Sequence, residues 1–246
     1  MAVHLEYYDV SILELQPLQP NLIAVEGFPD VGLVGTIAAF HLIEKFNMKP
    51  VAFIKSPAMP PILSVKTGII KEPAAAYSDG KLLVITSELP IPPSLVKNMA
   101  LSLADWLYEK RVSMAVSLNG YPTQRRIEIT KPEVVGVSNS EKGKEVLQEK
   151  GIKPLDEGFI AGIFAELLAL LRDRDIDGYA LIAESFPTYP DPGAAASVLE
   201  ALSKLLDIKI DVSDLLEKAD EIRLNMKDLS ARAAQGRMEN LPSMYR

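Results

Sequence analysis

The strands of this chain are unbroken apolar runs, and each is followed by a helix. Residues 21–27 (NLIAVEG), 81–87 (KLLVITS), 112–118 (VSMAVSL) and 178–183 (GYALIA) lack the polar–apolar alternation of a half-exposed strand. A strand apolar on both sides must be covered on both sides, and parallel neighbours need a long crossover between them. The helical stretches fall where that demand puts them, at 31–46, 93–110, 159–172 and 193–206. Shorter strands are predicted at 51–54 and 134–137, with a charged surface helix at 140–150. The fold class that follows is α/β: a mostly parallel sheet covered by helices on both faces. Proline clusters at 57–61 and 187–192 punctuate loops and mark no linker, and no internal repeat is visible. Residues 1–210 are therefore read as one core domain, 211–233 as a C-terminal helix and 234–246 as a tail.

Composition excludes several classes of function. The net charge is −7 over 246 residues, which argues against nucleic acid or an anionic membrane as partner. Arg125-Arg126 is too short for a phosphate-binding patch and is read as a solvated loop. The absence of cysteine rules out disulfides, a thiol nucleophile and a cysteine zinc site, and fits the cytoplasm. Met1–Glu6 carries no basic stretch leading into an apolar one, so no signal peptide is expected. The longest apolar stretches, 31–43 and 159–171, are too short to span a bilayer. Both are apolar almost all the way round and rich in small residues: Gly32, Gly35, Ala38 and Ala39 in one, Ala161, Gly162 and Ala165 in the other. Such helices lie deep in a core or at a subunit interface. A homo-oligomer is the expectation drawn from them.

The C-terminal helix differs. Val212, Leu215, Ala219, Ile222, Met226, Leu229 and Ala233 recur at spacings of three and four, a heptad seam with a charged opposite face. Asp211 is a suitable cap. The seam predicts either a helix laid on the domain or one that projects from it. Gly236 and Pro242 then stop helix formation. The last 13 residues, 234–246, span about 40 Å if extended. They end in Met244-Tyr245-Arg246: an apolar side chain, an aromatic with a polar tip, and a terminal carboxylate. That set suits a pocket on another protein.

Candidate chemistry inside the domain centres on acids at strand ends. Glu26, Glu88 and Glu184 each close a predicted strand, and Asp30 lies in the loop that follows Glu26. In a parallel sheet these ends face one crevice, the usual ligand site, with Asn119 and Tyr121 near the same edge. Paired carboxylates there suit acid–base work or a ribose. No partner base or oxyanion group accompanies them. His4 is near the terminus, and His41 sits in an apolar helix as a core or interface histidine. Gly27–Gly35 (GFPDVGLVG) lacks G-x-G-x-x-G spacing and a following Gly-Lys, and Asp30 would repel a phosphate. No metal ligand set and no cofactor are expected.

Four segments, taken in order, carry a resemblance. They are Glu26–Gly35 (EGFPDVGLVG), Asn119–Thr123 (NGYPT) with arginines just beyond, Phe159–Ile163 (FIAGI), and Ala183-Glu184-Ser185 closing a strand. Together they resemble the proteasome assembly chaperone family, specifically its archaeal homologues, over residues 10–210. The resemblance implies a nucleoside-phosphorylase-like α/β sandwich, which accounts for a strand-end crevice without turnover. It also gives the tail a meaning, because proteasome activators commonly end in a hydrophobic residue, tyrosine and any residue. The implied partner is the α subunits of the 20S core particle. Met244 would fill an apolar recess, Tyr245 would press on the gate-supporting backbone, and the Arg246 carboxylate would pair with a pocket lysine. The family also suggests a tetramer. The expected function is ATP-independent and non-enzymatic: activation of the core particle, or help in its assembly. The rival readings are a nucleoside-phosphorylase-like enzyme or small-molecule binder using the strand-end carboxylates, and a scaffold whose heptad helix binds an unrelated protein.

Overall fold

The computed structural model describes residues 10–222. Met244, Tyr245, Arg246, His4 and the seam residues Met226, Leu229 and Ala233 lie outside them. The strands are β1 (Ser11–Glu14), β2 (Ile23–Gly27), β3 (Lys49–Lys55), β4 (Ser64–Lys66), β5 (Ile69–Lys71), β6 (Ala74–Ser78), β7 (Leu82–Ser87), β8 (Met114–Pro122), β9 (Val134–Ser138), β10 (Lys153–Pro154) and β11 (Asp177–Ser185). The helices are α1 (Val34–Lys45), α2 (Val96–Glu109), α3 (Glu141–Glu149), α4 (Ile163–Arg172) and α5 (Pro192–Leu206), followed by α6 over residues 213–222.

One 9-stranded sheet organises the chain, in the order β1-β3-β6-β7-β2-β8-β11-β9-β10. Its centre, β7-β2-β8-β11, is parallel. These are the four apolar runs on which the fold class rests. The wing β1-β3-β6 joins β7 antiparallel, and β9 joins β11 antiparallel, so the large sheet is mixed with a parallel heart. Alternate residues of each central strand feed opposite cores. Val25, Val116, Leu118 and Leu181 pack under α1 and α5 with Ala38, Leu42, Val198 and Leu202. Ala24, Leu83, Ile85 and Ala115 pack under α2 and α4 with Met99, Leu103, Leu107 and Leu167. Each fully buried leucine among these contributes about 2 kcal/mol from burial.

The two all-apolar helices find their cover inside the chain. α1 lies between the sheet and α5, and α4 packs on α2. Much of their apolar surface is therefore buried within the chain, while Phe159, Ala161 and Ala169 stay exposed. α4 is also shorter than predicted. Gly162, at φ 108, ends the chain's approach to it, and Phe159 stands fully exposed before it.

α6 lies on the body over its described length. Val212 and Leu215 are buried in the α1–α5 core. The Asp211 side chain accepts from Ser213 N at 3.2 Å, as a cap does. His41 Nε2 contacts Asp211 O at 2.7 Å, and Lys45 pairs with Asp211 and Asp214 at 3.2 and 2.8 Å. His41 is thus a buried structural histidine. No helix among the described residues is long and apolar enough to cross a membrane.

Candidate functional site

The C-terminal ends of β2, β8 and β11 meet the start of α1, and four loops are knotted together there. Glu26, the penultimate residue of β2, is buried and faces the α2 layer. Its Oε1 accepts from Phe28 N at 2.8 Å, while Oε2 has no partner. Asp30 follows in the loop. Its Oδ1 accepts from Gly35 N at 3.0 Å and its Oδ2 accepts from Gly120 N. One carboxylate therefore caps α1 and ties it to the end of β8. Leu33, which directly precedes the helix, has no side chain able to do so.

Glycine is what allows the elements this close. A Cβ on Gly35 would stand 2.4 Å from Leu118 O. At Gly32, whose φ is +66°, a Cβ would lie 1.9 Å from Ser185 Oγ. Gly32 and Gly35 of GFPDVGLVG thus serve close helix–strand contact.

Burial pushes Glu26 up to about 7 against the weaker pull of the Phe28 N–H and the Ser117 hydroxyl. Burial likewise pushes Asp30 up to about 7, and the Glu26 charge adds to it, while the Gly35 and Gly120 N–H groups oppose it. Two acids that repel in a dry site are driven toward sharing one charge. Asp30 holds two backbone N–H donors against one on Glu26, which favours the shared charge on Asp30.

Glu88 and Glu184 are elsewhere. Glu26 aligns with Ile85 and Ser117. Glu88 lies three residues further along, about 10 Å, and Glu184 aligns with Tyr121, about 13 Å on. Glu88 accepts from Ser64 Oγ at 3.1 Å and ties down the base of β4. Glu184 accepts from Glu133 N at 3.1 Å. Tyr121, pushed up to about 12 by burial and by the Glu184 and Glu133 charges, is hydrogen-bonded to Glu184. Of the four predicted crevice acids, the structure brings together Glu26 and Asp30 alone. Asn119 is buried with Nδ2 unpartnered, as are Ser185 Oγ and Thr36 Oγ1. Among the described residues, no cluster of three or more acids or histidines is placed to hold a metal.

The reading of Arg125-Arg126 as a solvated pair needs correction. Arg125 is exposed, but Arg126 is 4% exposed and forks onto Asp191, itself 1% exposed, at 2.7 and 2.9 Å. Asp191 also accepts from Phe186 N at 3.1 Å and from Ala194 N at 2.9 Å, capping α5. Its own N–H reaches Gly32 O at 2.8 Å. Arg126 lies over the Phe186 ring at 5.0 Å. The partner is 65 residues away in sequence, so no local pattern reveals it. The Asp-Pro before α5 was the one available sign, since it marks a cap and first helical residue.

Outside the knot the edge opens into a groove of about 420 Å³ lined by Thr123, Gln124, Ile127, Phe186, Pro187 and Tyr189. Ala219 and Ile222 of α6 flank Arg126 and Phe186 at its side. The last described turn of the chain therefore stands at the strand-end edge.

A model of the PAC2 family matches residues 24–230, from the first central strand to beyond α6. The chain belongs to the PAC2 family. An uncharacterized protein of Methanocaldococcus jannaschii is 28% identical over 210 residues, covering 85% of this chain and 86% of its own. Among solved structures, Pyrococcus furiosus PbaA, an archaeal homolog of proteasome-assembly chaperone, matches with 29% identity and a TM-score of 0.79, over 93% of this chain and 100% of its own. Pyrococcus furiosus PbaB, an archaeal proteasome activator, matches with 25% identity and a TM-score of 0.79, over 90% and 98%. This PAC2 protein therefore shares its α/β fold with both over most of its length.

Proposed function

We propose that this protein binds the proteasome core particle without ATP and acts on it as an activator or an assembly chaperone. The observation that carries this reading is the end-to-end likeness to PbaA and PbaB within the PAC2 family. The site chemistry is compatible with it. The solved relatives are a homolog of proteasome-assembly chaperone and a proteasome activator, so the reading is of a binding protein and not an enzyme. The contact is assigned to Met244, Tyr245 and Arg246. One carboxylate–lysine pair and one aromatic contribute only a few kcal/mol per tail, so useful affinity requires several tails on one oligomer. The setting is the cytoplasm.

The test is peptide hydrolysis by an archaeal core particle with and without this protein. Wild type is expected to stimulate hydrolysis, and Tyr245→Ala or deletion of 244–246 to abolish the stimulation. Full stimulation by the truncated chain would overturn the tail mechanism. If intact protein gives no stimulation but raises the yield of core particle from its separate subunits, the assembly role holds.

A further inference from the structure

α6 is attached to the body by a narrow stripe. Val212 and Leu215 are buried in the α1–α5 core, and Ala219 and Ile222 are half-buried. Every other residue from Asp211 to Ile222 is exposed, the apolar Leu216 among them. α5, whose first turn α6 crosses, is instead buried over nearly its whole length, from Pro192 to Leu205. A short helix has little stability of its own in water, and what holds it in a protein is the apolar face it buries. By that measure the hold on α6 is weak and the hold on α5 is strong.

The two ends of the stripe rest on different things. At the foot, His41 Nε2–H donates to Asp211 O at 2.7 Å, and Lys45 pairs with Asp211 and Asp214 at 3.2 and 2.8 Å. Both carboxylates are more than half exposed, and ion pairs that exposed are weakened by salt. Further along, a Cβ on Gly193 would meet the Ala219 Cβ at 3.2 Å. There Ala219, Asp220 and Ile222 roof the Arg126–Asp191 pair beside Phe186 and Pro192. The pair is held from below: Arg126 donates to Asp191 and to Ile129 O, and Asp191 accepts from Phe186 N and Ala194 N. Lifting the roof leaves those bonds in place.

We infer that α6 is a detachable strap. It lifts from the body as a unit while the sheet, α5 and the strand-end knot stay folded, and the clasp of Lys45 on Asp211 and Asp214 sets how often it does so. The seam that suits a helix laid on the domain or one that projects from it then serves both positions. Lifting bares the wall of Arg126 and Phe186, and Phe186 also lines the neighbouring groove. It releases residues 211–222, about 40 Å of chain when extended, to the tether that carries Met244–Arg246. That gain in reach rests on the assignment of the core-particle contact to residues 244–246; the lifting itself does not. Low ionic strength holds the strap down, and high ionic strength frees it.

The experiment is hydrogen exchange of the full-length chain at low and high salt, read peptide by peptide. The α6 amides are expected to exchange through local opening, at least about a hundredfold faster than those of α5, which wait for global unfolding. Lys45→Met keeps the apolar stem and removes the clasp. It is expected to speed exchange in α6 about two- to fivefold and to leave α5 unchanged. Raising the salt should do the same in wild type and little in the variant. Val212→Ala, which trims the buried stripe, should speed α6 further. The inference is overturned if α6 and α5 exchange at one rate, if Lys45→Met changes both helices alike, or if salt acts equally on wild type and variant. Exchange is read without the core particle, so a failure of the tail mechanism leaves this result intact.

Discussion

The strand-end knot and the β4–β5 ribbon are built on opposite principles. In the knot, segments far apart in sequence are tied by polar contacts: Arg126 to Asp191, Gly120 N–H to Asp30, Gly32 O to Asp191 N–H, even though Glu26 Oε2, Asn119 Nδ2 and Ser185 Oγ are left without a partner. In the ribbon the apolar side chains face solvent, and among the described contacts only Ser64–Glu88 ties its strands to the body through side chains. A region cross-tied between distant segments holds a shape. A region with aliphatic surface left uncovered is shaped for contact with another molecule. The knot should therefore register damage as lost global stability, and damage to the ribbon should leave global stability nearly unchanged.

The largest effect is expected at Asp191. Asp191→Ala removes the partner of a buried guanidinium, the cap of α5 and the acceptor of Phe186 N at once. Leaving a buried charge unpaired costs about 3–5 kcal/mol, read as a drop in the urea midpoint. Arg126→Met should cost less, because Asp191 keeps two N–H donors. Equal losses from the two substitutions would mean that the ion pair itself, and not the capping, holds the loops.

Next comes Gly32→Ala. The left-handed φ alone costs about 1–2 kcal/mol, and overlap with Ser185 Oγ adds a similar amount through repacking. Pairing it with Ser185→Gly should recover the second part and leave the first.

Glu26→Gln works in the other direction and only over part of the pH range. Both Glu26 and Asp30 are raised in the folded chain, so between about pH 4.5 and 7 the folded state holds more protons than the unfolded one. By linkage, wild-type stability falls as pH rises through that window and levels off above it. Glu26→Gln keeps the shape without the ionisation. It should be more stable than wild type at pH 8, by on the order of 2 kcal/mol, with little difference at pH 5. A pH-independent difference in the urea midpoint would show that the acid pair does not set the slope.

How much of these two regions can be read from residues alone follows the same division. The parallel heart was legible because its strands, such as 81–87, are buried on both faces, and burial writes itself into unbroken apolar runs. Of the wing, β3 was legible as the short strand at 51–54, but β6 was not, because Ala74–Ser78 (AAAYS) is a strand made by its neighbours and not by β propensity. The proximity of Glu26 and Asp30 was legible, since one tight turn joins them. That Glu88 and Glu184 stand about 10 and 13 Å further on was not, because stagger between strands is set by pairing register. Arg126–Asp191 is a contact between loops 65 residues apart, and local charge pattern made the arginine look solvated. The ribbon was hidden for another reason: Ile62–Ile70 is apolar enough to look like core, and apolar composition does not tell an inner surface from one awaiting a partner.

The smallest stability effect separates the two regions most cleanly. Gly68, like Gly32, has a positive φ, +79° against +66°. A Cβ on Gly68 meets nothing within 4 Å, whereas on Gly32 it meets Ser185. Gly68→Ala therefore carries only the backbone term, and it carries that term in a ribbon outside both large cores. Its cost to global unfolding should stay below about 1 kcal/mol. The strained turn should still splay the strands, read as faster hydrogen exchange of the ribbon amides at an unchanged urea midpoint. A loss of global stability as large as that of Gly32→Ala would place the ribbon inside the cooperative unit and remove the distinction between a closed knot and an open arm.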